Sequence, residues 1–108
     1  MNAEEYFDDA NGNLAIGELE LAAEGYRKAV ELDNDYFDAW HALCMTLVKL
    51  EKFPEAIEAG KRALDLQPND QIAYTSLSIA YARNGQIKEA EAMAANARVI
   101  SWGGKAVN

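Results

Sequence analysis

Two places in the sequence gather side chains that do chemistry elsewhere. One is His41 and Cys44, the only histidine and the only cysteine, three positions apart and so close on a helix surface. A cysteine beside a histidine is the elementary nucleophile–base pair, provided the thiol is exposed and a neighbouring charge favours the thiolate. The other is Asp8-Asp9-Ala10-Asn11-Gly12-Asn13, whose oxygen ligands and glycine are those of a calcium loop.

Neither reading holds against its setting. Cys44 falls in a repeat column with Ala10 and Ser78, always small, which makes it packing rather than nucleophile. The acidic segment has Glu18 where a calcium loop needs its bidentate carboxylate, but Leu14–Gly17 in between reads as helix. Its ligands also fail to alternate before Gly12. One cysteine and one histidine give no zinc spacing. The expectation is therefore no catalytic residue, no cofactor, no metal and no enzyme activity.

Composition narrows the partners. The 108 residues are 50% hydrophobic and 26% charged, which suits one folded domain, and the formal net charge is −8. The 10 basic residues are scattered and form no run. Nucleic acid and anionic membranes need a concentrated positive patch, so both are excluded as expected partners. No apolar run approaches the ~20 residues of a membrane span, so no membrane insertion is expected. Met1-Asn2-Ala3-Glu4-Glu5 has neither the basic nor the apolar region of a signal peptide, and a cytoplasmic address is the expectation.

The elements that position these residues come from a repeat. Writing the chain with a step of 34 aligns 3–36, 37–70 and 71–104 without a gap, with a short tail at 101–108. Tyr6, Trp40 and Tyr74 share a column and are expected core aromatics. Gly17, Glu51 and Gly85 share the turn, and Ala22/Ala56/Ala90 and Ala29/Ala63/Ala97 are constant. Leu32, Leu66 and Ile100 close the second half. Trp40, Leu43, Cys44 and Leu47 lie at i, i+3, i+4 and i+7, one apolar stripe of a helix. Asp35 and Asn69 are placed to cap helices, Pro54 suits a first turn, and Gly17 and Gly85 suit left-handed helix ends.

Trp40-x-x-Leu43-Cys44, then Ala56, Ala63 and Pro68, resembles the tetratricopeptide repeat signature, in the manner of small three-repeat bacterial domains. The resemblance implies an all-α, right-handed superhelical array of three helix–turn–helix units, an α-solenoid. It also implies a protein–protein interaction module that binds a peptide or helix in a concave groove lined by the first helix of each repeat. By that geometry the groove takes Phe7, Asn11 and Leu14 from the first repeat and His41, Met45, Val48 and Lys49 from the second. The third adds Ile72, Thr75, Ile79, Ala82 and Arg83. Phe7, Leu14, Met45, Val48 and Ile79 form the expected apolar floor, with Lys49 and Arg83 on one rim and Glu4 and Asp38 on the other. Adaptors of the family that hold terminal carboxylates use lysines, an arginine and asparagines; those places hold Phe7, Asn11, Ala42, Ile72 and Ser76 here, and only Asn11 matches.

A self-assembling scaffold, joined through the array ends or the tail, is the alternative to peptide binding, with a monomer favoured. Two columns, Ala23/Ile57/Glu91 and Val30/Leu64/Arg98, turn from apolar to charged only in the third repeat. Glu91 and Arg98 are expected to solvate the end of the array, and Trp102 to fold back over what apolar surface remains.

Overall fold

The computed structural model describes residues 1–105. Six helices follow one another: α1 (Ala3–Ala15), α2 (Leu19–Leu32), α3 (Phe37–Lys49), α4 (Phe53–Leu66), α5 (Gln71–Arg83) and α6 (Ile87–Ser101). No strand occurs among the described residues. Helices α1, α3 and α5 begin at positions 3, 37 and 71, and α2, α4 and α6 at 19, 53 and 87, so sequence period and structural period coincide. Each helix packs on the next, and α3 also packs on α5. Short turns make neighbours antiparallel, so α1, α3 and α5 run the same way. The result is an all-α solenoid measuring 38 × 25 × 20 Å.

The turns within the pairs share one device. Gly17 and Gly85 take φ of 82° and 81°. The next amide reaches back over the last turn, from Glu18 to the Asn13 carbonyl (2.9 Å) and from Gln86 to that of Tyr81 (2.9 Å). Glu51 builds the same turn at φ 60°, with Lys52 N–H on the Leu47 carbonyl at 2.9 Å. A side chain in that region costs about 1–2 kcal/mol, and here the repeat geometry imposes it.

The helix starts differ in part from expectation. Pro54 stands in the first turn of α4 as its missing N–H permits. Asn69 is not the cap of α5: Asp70 is, its Oδ1 accepting from Ala73 N–H at 2.9 Å. Asp35 does not cap α3 either. Tyr36 holds that position without a side-chain bond, and the Asp35 amide donates to Asp33 Oδ1 at 3.0 Å. The carboxylate that turns this loop is that of Asp33, three residues before the cap, and it closes no helix. Asn2 and Glu5 form a reciprocal capping box on α1.

Small residues set the helix spacing. A Cβ on Gly25 would stand 2.8 Å from that of Ala10, so α1 and α2 touch backbone to backbone there. Gly60 likewise lies under Leu77 and Cys44. Tyr26, Leu47 and Leu77 fill the remaining space and are buried, each large apolar side chain contributing about 1.5–3 kcal/mol. Of the aromatic column only Tyr74 is buried; Tyr6 and Trp40 are half-buried against the core. The Trp40 indole N–H donates to the Asn34 carbonyl at 2.7 Å, and Arg62 lies over its ring.

The end of the array corrects one expectation. Glu91 and Arg98 are exposed, in columns where Ala23, Ile57 and Val30 are buried. Trp102, however, does not fold back: it is 79% exposed. Helix α6 continues through Ser101 and ends in a left-handed turn at Gly103 (φ 85°), whose next amide, of Gly104, donates to the Val99 carbonyl at 2.9 Å. That turn directs Trp102 outward.

Candidate functional site

The face shared by α1, α3 and α5 carries the residues singled out in the sequence, and the helices divide them into three kinds. The first kind is committed to the core. Val48 is 4% exposed, so it is not part of an open floor. Helix α3 is flanked by α2, α4 and α5, and so much of its circumference is covered that Val48 packs inward. Phe7 is half-buried, its ring 5.0 Å from Tyr36 and 5.7 Å from Tyr26, and Leu14 packs on the same cluster. The expected apolar floor is therefore corrected: Phe7, Leu14 and Val48 pack within the chain.

The second kind is engaged by polar neighbours. Asn11 Oδ1 accepts a short hydrogen bond from the hydroxyl of the buried Tyr26. Thr75 Oγ1 donates to the Gln71 carbonyl, one turn back. Arg83 lies over the Phe53 ring at 5.2 Å and 3.7 Å from Glu51. His41 Nε2 is 2.6 Å from Ser76 Oγ, a bond that ties α3 to α5, and its ring stacks parallel on Phe37. Burial pushes the imidazole below its ordinary value, against the opposing pull of Asp70 and Asp38.

The third kind is open. Between α3 and α5 lies a cleft of about 440 Å³, walled by His41, Met45, Gln71, Ile72, Thr75, Ser76 and Ile79. Ile72 is 60% and Ile79 38% exposed. Ile72 was expected to line the groove but not to belong to its apolar floor, and the structure makes it part of that wall. Its exposed position one turn before Ser76, at i−4, was the available signal. Lys49 stands exposed at the far end of α3.

The chemical readings meet the geometry as follows. Cys44 is fully buried, and burial pushes its thiol up to about 12, where it stays protonated. His41 is bonded to Ser76 rather than to Cys44. No group of three or more His, Cys, Asp or Glu among the described residues is placed to hold a metal ion. No helix among them is long and apolar enough to cross a membrane.

Stacked antiparallel helix pairs, left-handed turns one period apart and small-residue contacts within each pair define an α-helical repeat solenoid. A tetratricopeptide repeat model matches residues 37–70, and a second tetratricopeptide repeat model matches 59–92. The chain belongs to the tetratricopeptide repeat family. It is 37% identical over 81 residues to the TPR repeat-containing protein MJ1428 of Methanocaldococcus jannaschii, covering 74% of this chain and 14% of that protein. It is 34% identical over 68 residues to the protein O-mannosyl-transferase TMTC3 of Homo sapiens, covering 62% of this chain and 7% of that one. The chain thus spans a small part of the curated relatives it matches. Among solved structures, MamA superposes with a TM-score of 0.88 at 26% identity over 94% of this chain and 60% of its own. The second TPR of Spaghetti (RPAP3), solved bound to the HSP90 peptide SRMEEVD, superposes with a TM-score of 0.86 at 22% identity, covering 93% of each chain.

Proposed function

We propose that this chain is a protein-interaction module that holds a peptide or a helix along the face of α1, α3 and α5. The observation that carries the reading is the cleft between α3 and α5, where Met45, Ile72 and Ile79 offer apolar surface that the other described residues leave open. An apolar strip left open on a folded domain usually marks an interaction site, and a methionine wall adapts to its ligand. The RPAP3 likeness carries the fold alone. The acidic peptide of that structure is a poor model for this chain's ligand. At the family's clamp places Phe7 sits in the aromatic cluster and Ser76 is bonded to His41, so neither supplies a cation to repay the desolvation of a terminal carboxylate.

The test is site-specific photo-crosslinking in the native host, with the reactive group at Ile79 in one strain and at Glu31, on α2, in another. A partner captured from Ile79 and not from Glu31 supports the groove. Capture from Glu31 alone moves the site to the second helices.

One observation favours a second reading, a self-assembling scaffold. Trp102 stands exposed, and the residue before it, Ser101, borders an open cleft of about 300 Å³ together with Ser78, Ala94, Ala97 and Arg98. An exposed tryptophan is a good anchor for a neighbouring subunit. Mass measured against concentration decides it, because a monomer at all concentrations removes this reading.

A further inference from the structure

We infer that the ligand of this groove is a basic amphipathic segment. It seats an apolar side chain among Met45, Ile72 and Ile79 and lays lysines or arginines over the carboxylates at the N-terminal ends of α1, α3 and α5. The inference rests on the groove reading above and adds the chemistry of the partner.

Charge complementarity carries it. Because α1, α3 and α5 run the same way, their starts form one rim of the face. Glu4 and Asp38 stand in the first turns of α1 and α3, Asp8 one turn further along α1, and Asp70 at the cap of α5. Glu4, Asp8 and Asp38 are exposed and Asp70 is half-exposed. Helix starts favour acidic residues for their own stability, which accounts for Glu4, Asp38 and Asp70 but not for Asp8. The carboxylates lie close enough to act together. Burial first, and then the charges of Glu4, Asp8, Asp38 and Asp33, hold the Tyr36 phenol above its ordinary value. Asp70 and Asp38 both face His41, a wall of the cleft.

The opposite rim does not balance this. Arg83 already shares its charge with Glu51 and its face with Phe53. Lys49 and Arg83 thus stand against four carboxylates, with Glu51 beside Arg83 as a fifth. The formal net charge of −8 adds a long-range field that draws in a basic ligand and repels an acidic one.

The probes are two acetylated, amidated peptides that share a central leucine and phenylalanine, one flanked by lysines and the other by glutamates. Each is titrated into the full chain with isotope-labelled methionine and isoleucine methyls. The lysine peptide is expected to shift Met45, Ile72 and Ile79 and to bind at least about tenfold more tightly at low salt, an advantage that shrinks as salt rises. The triple variant Glu4→Gln, Asp8→Asn, Asp38→Asn is expected to remove most of that advantage. The triple variant Glu31→Gln, Glu58→Gln, Asp65→Asn, which removes equal charge from α2 and α4, is expected to keep most of it. Circular dichroism establishes that both variants are folded. Equal affinity of the two peptides at the same methyls overturns the basic-ligand inference and leaves the groove standing, as does a rim variant that keeps the full advantage. A lysine peptide that binds without moving these methyls overturns both. Failure of the lysine peptide to bind overturns the inference, while the groove keeps its separate crosslinking test.

Discussion

Arg27 of α2 grips the carboxylate of Glu55 of α4 through two hydrogen bonds, Nε to Oε2 at 2.7 Å and a terminal nitrogen to Oε1 at 2.9 Å. This fork crosses from the first helix pair to the second and adds a geometrically specific charge pair to their packing. Both side chains are about a third or more exposed, so the pair is worth no more than about 1 kcal/mol. The hydrogen bond from Arg27 holds the Glu55 carboxyl below its ordinary value of 4.5, against desolvation. A depressed folded value gives stability that is present above the unfolded value and lost as pH falls through the folded one. Glu55→Gln is therefore expected to lower the melting temperature by a few degrees near neutral pH. The difference from the parent should decline as pH falls below 4.5, disappear once the depressed folded value is passed, and shrink in high salt. Calorimetry across that pH range reads it.

The contact between Ala10 and Gly25 separates two glycines that look alike in sequence. Gly25→Ala puts a Cβ 2.8 Å from the Ala10 methyl, and the backbone behind it cannot yield cheaply. Overpacking costs about 1–3 kcal/mol, more than the ~1 kcal/mol that alanine gains in a helix, so the variant should be destabilised. Gly12→Ala meets nothing within 4 Å and should be stabilised by about 0.5–1 kcal/mol. Urea midpoints of the two variants should move in opposite directions.

Glu51 holds a left-handed turn with a side chain where Gly17 and Gly85 hold it with none. Its ion pair with Arg83 is long, at 3.7 Å, and exposed, so little is lost by removing it. Glu51→Gly should stabilise the protein by about 0.5–1 kcal/mol once the greater freedom of the unfolded chain is counted. A fall in the melting temperature would show that the Arg83 contact outweighs the strain.

The repeat register was legible because each level repeats it: aromatic column, small column, turn glycine and constant alanines all recur at one step. What escaped the sequence lies where a helix meets an unequal set of neighbours. Val48 has the spacing of a groove residue but sits on α3, which is covered from three sides, so the stripe read as surface is core. The counterpart of Val48 one period on, Ala82, lies on α5, which has no later first helix beside it among the described residues, and is exposed. Periodicity names a face; which helices lie alongside decides how wide the buried part of that face is.

Trp102 illustrates the same limit at the array end. Its fold-back was expected from hydrophobicity, yet the turn at Gly103 fixes the chain direction first. The indole is 79% exposed, so Trp102→Ala should leave the melting temperature of the dilute protein unchanged. In a Trp40→Phe background the emission of Trp102, then the only tryptophan, should be that of a water-exposed indole. A blue-shifted maximum that reddens on dilution would instead report burial against a second copy.

The division of the groove face into core and open parts is tested by placing the same charge on each. Val48 is 4% exposed and packs with Leu43 and Leu47 in the core, so Val48→Glu buries a carboxylate without a partner. That costs several kcal/mol, a large share of the stability of a domain of this size, and the variant should be largely unfolded by circular dichroism. Ile79 is 38% exposed and its side chain reaches the cleft, so Ile79→Glu leaves the carboxylate in water. Its cost should stay within about 1 kcal/mol. Met45→Glu is half-buried and should fall between the two. Partner capture should then fail in the folded Ile79→Glu protein, where stability cannot be blamed. If Ile79→Glu instead unfolds the chain as Val48→Glu does, the cleft belongs to the core and the site must be sought elsewhere. If it folds and keeps its partner, the apolar wall is not the contact surface.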